Sequence, residues 1–460
     1  MNLDSFSHIH IIGVGGSGMS AIARVLAERG FSVSGSDMQE SKFSAELRKL
    51  GVRIHIGHSA TYVSDAELVV RSSAIPDSNP EVVAARLAGV SVLKRSEFLG
   101  SMMAGQIGIA VAGTHGKTTT TSMIAQVLIE AGLDPTVVVG GIVPMLGSNA
   151  RAGNGDHFLI EADEYDRMFL GLDYEIALIN NLEHDHPDIF EDDAAYVDAF
   201  AQFAAQTPAH GQLILNGDDE LSKPLGEQAV CDIYRVGLSD ASDLWAEDIR
   251  PNQLGGNDFI VMERGNLLGI ARLRVPGEHN VRNALMAIAV THSIGVDFHH
   301  IRKGLAEFGG VGRRFQELGT VGNVTVIDDY AHHPTEIRAT LAAAQQHFVG
   351  RTVWAVWQPH TYSRVKLHFD AFTAAFADAD KAIALDIYRS RERDTLGMSS
   401  ALLVNAMVHP YAKHINTIEA AATYILDRIS PDDVVITLSA GDGNRVGTLV
   451  LDGLRERSAV

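Results

Sequence analysis

The chain has 460 residues, too many for one ordinary hydrophobic core, and its 46% hydrophobic and 20% charged content is that of a globular protein. Its 57 acidic and 37 basic residues give a formal net charge of -20. That balance excludes a general nucleic-acid partner but leaves room for a local basic pocket around a phosphorylated small molecule.

The N-terminus shows no basic or apolar leader region, so a cytosolic chain is expected. His8–Val14 reads as a strand, Met19–Gly30 as a helix and Phe31–Ser36 as a second strand, with Gly13-Val-Gly15-Gly16-Ser17-Gly18 between the first two. This is a dinucleotide fingerprint, with Asp37 placed for ribose hydroxyls. It reports a diphosphate and a ribose, not a nicotinamide. A helix over Ser44–Gly51 and a strand over Leu68–Arg71 continue the alternation, and Ser72 and Ser73 follow at a strand end. Residues 1–100 are expected to form one Rossmann-like domain.

The stretch that organises the chain comes next. Ile107–Ala112 has the β-branching of a buried strand, and Thr118–Gly132 has helical apolar spacing. Between them lie Gly113, Thr114, His115, Gly116 and Lys117, with Thr118 and Thr119 opening the helix. Small residues let backbone N–H groups approach phosphate oxygens, and the helix N-terminus adds positive potential. Lys117 can neutralise β/γ oxygens and Thr118 can ligate Mg²⁺. Val111 stands where the usual loop has its first glycine, so the loop is a short variant.

Two further strand ends carry carboxylates and histidine: Glu161–Asp166, and Asn180 through His186. Carboxylates suit Mg²⁺, and a histidine lets Mn²⁺ substitute. Asp193–Gln206 reads as a helix; residues 230–275 show short β-like runs without assigned chemistry. Cys231, the one cysteine, excludes an internal disulfide. Asn280 and Asn283 open a helix expected over Asn283–Ile294, as purine-edge readers or as N-caps. Residues 101–310 are expected to be a nucleoside-triphosphate domain of α/β type.

Gly309–Gly312 reads as a hinge before the paired Arg313 and Arg314, which suit a phosphate bridging two domains. In residues 311–460, a third α/β unit, strands over Val324–Ile327, Thr352–Val356 and Val434–Leu438 end in polar clusters that would meet in one crevice. These clusters hold Asp328, Tyr330, His332, His360 and Arg364. No apolar run reaches the about 18 residues of a membrane span, so no membrane partner is expected.

The blocks Gly13–Ala21, Ser72–Ile75, Gly113–Thr121, Glu161–Asp166, Asp185-His186, His279-Asn280, Gly312–Gln316 and Asp328–Glu336 together resemble the Mur ligase family, in the family's order. The resemblance implies three α/β domains. It also implies an ATP-dependent ligase of the alanine-adding branch. ATP would phosphorylate the lactyl carboxylate of UDP-N-acetylmuramate, and the amine of L-alanine would displace phosphate. Gly15, Gly16, Ser17, Gly18, Asp37, Ser72 and Ser73 would hold the UDP-sugar. The loop from Gly113 to Thr119, with Asn280, Asn283, Arg314 and Asp328, would hold ATP. Thr118, Glu161 and His186 would ligate magnesium; Tyr330, His332, His360 and Arg364 would line the alanine site. Lys117, His332 and Arg364 are the expected catalytic set.

Two departures stand out. Thr361 replaces an arginine common after Gln-Pro-His, which shifts the carboxylate contact to Arg364. The helix around Ala195–Phe200 lacks the carbamylated lysine of related ligases, as suits the alanine-adding branch. The alternatives are a tripeptide-recycling ligase acting on the same nucleotide, an NAD-dependent oxidoreductase built on Gly13–Gly18, and a nucleotide-switched binding protein. Monomer and homodimer are both left open.

Overall fold

The structure, a computed structural model, describes residues 1–458. Three sheets follow one another along the chain. The first contains β1 (His8–Ile12), β2 (Ser32–Asp37), β3 (Arg53–Ile56), β4 (Leu68–Arg71) and β5 (Ser91–Lys94), all parallel, in the order β3-β2-β1-β4-β5. The strand order reverses between β1 and β4. The Gly13–Gly18 loop and Ser72-Ser73 therefore share the crevice where open α/β sheets bind ligands.

The second sheet has ten strands: β6 (Ile107–Ala112), β7 (Thr136–Val143), β8 (Ser148–Arg151), β9 (His157–Glu161), β10 (Ile176–Ile179), β11 (Gln212–Asn216), β12 (Asp232–Gly237), β13 (Leu244–Pro251), β14 (Asn257–Glu263) and β15 (Asn266–Arg272). Its order is β15-β14-β13-β12-β11-β10-β6-β9-β7-β8. Strand β6 thus lies between β10 and β9, parallel to both, with Ala112 opposite Ile179 and Val111 opposite Glu161. This register brings both acidic strand ends to the loop after β6. The stretch 230–275, only loosely legible in sequence, supplies β12 and the antiparallel β13–β15.

The third sheet comprises β16 (Gln316–Val321), β17 (Val324–Asp329), β18 (Val353–Gln358), β19 (Lys381–Ala384), β20 (Ala412–His414) and β21 (Val434–Ser439), in the order β16-β17-β21-β18-β19-β20. The last strand inserts between β17 and β18, so Asp329 faces Leu438 and Gln358 faces Ser439 across the ladder.

Helix boundaries depart from the expected ones where local caps decide. The helix after β6 runs Lys117–Glu130, with Gly132 (φ 76°) two residues beyond its end. Met123, Ile124, Val127 and Leu128 are fully buried there. Each contributes about 1.5–3 kcal/mol relative to exposure. The helix expected from Asn283 starts earlier and runs Glu278–Ser293, because Gly277 (φ 94°) turns the chain into it. Asn280 is therefore inside the helix and does not cap it. Ser41 caps Lys42–Lys49 reciprocally with Ser44, which moves that helix two residues earlier than expected.

Candidate active site

The loop after β6 is shaped by two glycines in left-handed conformations, Gly113 (φ 127°) and Gly116 (φ 80°). A Cβ on Gly113 would come within 2.9 Å of the Asn180 backbone nitrogen, so a side chain is excluded on both counts. Lys117 folds back over the loop. Its Nζ donates to Thr114 O at 3.1 Å and pairs with Glu164 Oε2 at 2.8 Å. Burial opposes its charge, but Glu164 offsets this and holds the ammonium above its ordinary value.

Thr118 Oγ1 donates to Glu161 Oε1 at 2.9 Å, and Gly140 N–H donates to Glu161 Oε2 at 2.7 Å. Burial nevertheless pushes the Glu161 carboxyl above the usual carboxylate range. Glu164 Oε2 is buried with no aligned hydrogen-bond donor. On its far side His186, at φ 55°, brings Nε2 to 3.6 Å from Glu164 Oε1. A partly buried carboxylate, Glu161, and a buried one against Lys117, Glu164, with one imidazole beside them, match the donor chemistry of a hard divalent cation. The predicted set is split in this form: Thr118 joins Glu161, whereas His186 joins Glu164. Among the described residues, the one acid–histidine trio with ligand atoms within 4.8 Å of one another is His115, Glu183 and His333.

The third sheet docks onto this loop. Arg364 Nε donates to Asp185 Oδ1 at 2.7 Å, with both side chains buried. Burial raises the cost of the Asp185 charge, yet the Arg364 guanidinium holds its carboxyl well below the usual range. Arg364 Nη1 lies 3.0 Å from His360 Nδ1, which must accept. His332 Nδ1 is 3.0 Å from Tyr330 O and donates to it, leaving Nε2 with the lone pair. Burial pulls His332 down to about 4 and His360 to about 3, so both rings are neutral at physiological pH. The Tyr330 ring packs against Arg313 and Arg314, at 4.9 and 5.3 Å from their guanidinium carbons. Tyr330, His332, His360 and Arg364 thus gather on one side of the seam.

On the other side is a cavity of about 430 Å³. His115, Gly116, Thr119, Asn280, Asn283 and Arg314 line it, as anticipated for a nucleotide site. Asn283 Nδ2 donates to Asn280 Oδ1 at 3.2 Å, and Thr120 Oγ1 donates to Asn283 Oδ1 at 3.2 Å, so the amides are held in place. The structure does not bring Asp328 there. Its carboxylate is buried against Arg313 Nε (3.1 Å) and Thr437 Oγ1 (2.9 Å). Adjacent residues of a strand point to opposite faces, and Asp329 is the one that lines the cavity. Burial lifts Asp329 to about 6 despite Arg314 and two backbone donors.

At the first loop, Gly15 N–H donates to Asp37 Oδ2 at 2.9 Å, and Ser41 Oγ donates to Gly15 O at 2.9 Å. The fingerprint's acidic residue thus braces the turn itself. Ser72 lies under this turn, close to Gly13; Ser73 is exposed beside it. Asn149 on β8 donates to Ser17 O at 2.6 Å, tying the first helix to the central sheet. The Arg95 guanidinium lies against Gly18, held by Asp163 at 2.9 Å, so a side chain at Gly18 would displace it.

Comparison with known proteins follows the three sheets. Residues 8–107 match the Mur ligase family, catalytic domain; residues 111–291 match the Mur ligase middle domain; residues 313–441 match the Mur ligase, glutamate ligase domain. UDP-N-acetylmuramate–L-alanine ligase of Salinibacter ruber is 43% identical over 96% of this chain and 93% of its own length. This chain belongs to the Mur ligase family. The equivalent enzyme of Acetivibrio thermocellus is 40% identical over 97% of this chain and 96% of that one. Among solved structures, UDP-N-acetylmuramate-alanine ligase MurC from Thermotoga maritima superposes with a TM-score of 0.82 at 30% identity, covering 98% of this chain and 100% of that one. A murein peptide ligase from Psychrobacter arcticus gives 0.72 at 26%, covering 97% and 98%.

In this Mur ligase, sequence reasoning missed Arg95, Glu164, Asp329 and Glu336 as site residues. Glu164 and Glu336 lay inside recognised blocks, but their pairing with Lys117 and Arg314 is a tertiary fact. Arg95 carried no motif at all. Among the described residues no helix is long and apolar enough to cross a membrane.

Proposed function

We propose that this Mur ligase joins L-alanine to UDP-N-acetylmuramate at the expense of ATP, in the cytoplasmic stage of peptidoglycan precursor synthesis. The observation that carries this reading is near-full-length identity of 40–43% to enzymes of that name, over a chain whose phosphate loop, amide-lined cavity and histidine–arginine cluster meet at one seam.

The loop from Gly113 to Thr119 would take the triphosphate, with Lys117 leaving Glu164 to meet the β/γ oxygens. Asn280, Asn283 and Asp329 would address the nucleoside, with Asp329 in place of the expected Asp328. Arg314 would reach a phosphate. Thr118, Glu161 and His186, with Glu164 beside them, would hold magnesium, which neutralises phosphate charge when bound. The Gly15–Gly18 turn, Asp37, Ser72, Ser73 and Arg95 would hold the UDP-sugar.

A lactyl carboxylate oxygen attacks the γ-phosphorus, the bond to ADP breaks, and an acyl phosphate results. The alanine nitrogen then attacks the acyl carbon, the carbon–oxygen bond to phosphate breaks, and phosphate leaves. Arg364 would pair with the alanine carboxylate, and His332 Nε2 would accept the proton released as the C–N bond forms. Such catalysis is positioning and electrostatics more than covalent help. The docked third sheet keeps water from the acyl phosphate.

Oxygen-18 in the lactyl carboxylate tests the pathway. Transfer of one label to released phosphate is expected. Unlabelled phosphate with full product formation would contradict it. The likeness to a murein peptide ligase supports a second reading, in which the acceptor is a peptide and the same steps occur.

A further inference from the structure

His115 is placed by its own loop. Its backbone N–H donates to Asn181 Oδ1 at 2.9 Å, which fixes where the ring leaves the chain. The ring then spans the seam between the central and third sheets. Nε2 meets Glu183 Oε2 at 3.0 Å, and Nδ1 lies 3.4 Å from Glu336 Oε1, at ion-pair distance. Glu183 follows β10; Glu336 belongs to the helix Pro334–His347 of the third sheet. Thr335, from the same helix, donates to Glu183 Oε1 at 2.8 Å. One imidazole facing a carboxylate from each side can serve both only when both nitrogens are protonated.

We propose that His115 is a positioning residue whose imidazolium latches the third sheet onto the phosphate loop. The inference rests on the reading that this loop takes ATP, and it deepens that reading. Docking then depends on the loop having the shape that binds phosphate, since the latch is part of the loop. A side chain that touches the docked form and loses Glu336 in the open form biases that equilibrium by its differential contacts. The third sheet closes over an acyl phosphate only when the loop beneath it is ordered.

The charged and titratable groups facing His115 are Glu183, Glu336 and His333, whose ring centroid lies 4.7 Å from that of His115. Arg314 and His332 flank Glu336, and His368 flanks His333. Burial works against the charge on His115, but Glu183 and Glu336 together hold it up to about 9. His332 and His333 are pulled down to about 4 and 3 by burial, so neither titrates in the same range. A histidine raised on docking favours the docked form below its free value. That preference is lost as pH rises through about 9.

Small-angle X-ray scattering of the full chain between pH 7 and 10, with and without Mg²⁺ and a non-hydrolysable ATP analogue, tests this. The wild type is expected to be compact at pH 7 and to expand as pH passes about 9. His115→Gln should be expanded throughout, without the pH step. Its circular dichroism should be unchanged, and kcat should fall about tenfold. Glu336→Gln should reproduce this, and the double variant should be no worse than the more affected single. A His115→Gln chain as compact as wild type, or one that keeps the pH step, overturns the latch. Failure of the wild type to bind the analogue would instead contradict the ATP reading. The step in the nucleotide-free chain then decides the latch by itself.

Discussion

The chain uses strand, glycine turn and helix twice, at Gly13–Gly18 and at Gly113–Gly116, and equips the two turns differently. Both sit where neighbouring parallel strands reverse their order. The first turn carries no cation of its own. It is braced by Asp37, and its nearby guanidinium, Arg95, is brought by another helix and held by Asp163. The second carries Lys117 and Thr118 in sequence, tied to the buried Glu164 just beyond β9 and the partly buried Glu161 at its end. The same backbone can hold a diphosphate in either place. Moving a phosphoryl group also requires mobile positive charge and oxygen ligands at the loop itself, and only the second has them.

The sharpest way to break this contrast is Lys117→Ala. Turnover should fall about 10³-fold or more, while UDP-sugar affinity in calorimetry stays within about threefold. A comparable loss of UDP-sugar affinity would erase the distinction between the loops. Asp37→Ala should do the reverse on a smaller scale. Loss of the Gly15 brace should weaken UDP-sugar binding about tenfold and leave ATP binding alone. The opposite order of effects would mean that the nucleotides are assigned to the wrong turns.

A finer test uses two neighbouring aspartates. Asp329→Asn should raise the KM for ATP about three- to tenfold, because it alters the cavity wall. Asp328→Asn should leave KM near wild type and lower the melting temperature, because it weakens the buried contact with Arg313. Equal KM effects would return Asp328 to the site.

The smallest effect is on acid stability. Burial holds His332, His333 and His360 neutral, at about 4, 3 and 3 against an ordinary 6.5. The unfolded chain takes up these protons first, so this contribution is complete above pH 6.5 and is lost as pH falls toward 4. The melting temperature should drop by about 2–4 °C for each kcal/mol lost across that window. His360→Asn should flatten the curve; an unchanged slope would place the titration elsewhere.

Much of this was legible in the residues. Strands Leu68–Arg71 and Ile107–Ala112 match their expected bounds, because short apolar runs between polar turns leave little choice. The turn between β6 and the next helix was readable because Gly113 and Gly116 both have a backbone reason, a positive φ. The Asp-Asp pair gives no sign in sequence of which residue faces the cavity; Asp329 does, and Asp328 pairs with Arg313. The two hinge arginines also divide: Arg313 anchors Asp328, and Arg314 turns to Glu336 and the cavity. Arg95 and the Lys117–Glu164 pair were invisible because they depend on which sheets meet. Residues 230–275 were obscure because β13–β15 extend the sheet as an antiparallel edge, with a register shift between Glu247 and Arg250 that breaks the alternation.

The central claim is that the loop bearing Lys117 phosphorylates the sugar's carboxylate for attack by an amino acid. Phosphate release with ATP, Mg²⁺ and UDP-N-acetylmuramate, adding L-alanine or the L-Ala-D-Glu-diamino-acid tripeptide separately, tests it most directly. Release that depends on L-alanine, with ADP and UDP-N-acetylmuramoyl-alanine formed one to one, is the predicted result. Release with the tripeptide alone, or with neither acceptor, would contradict the account.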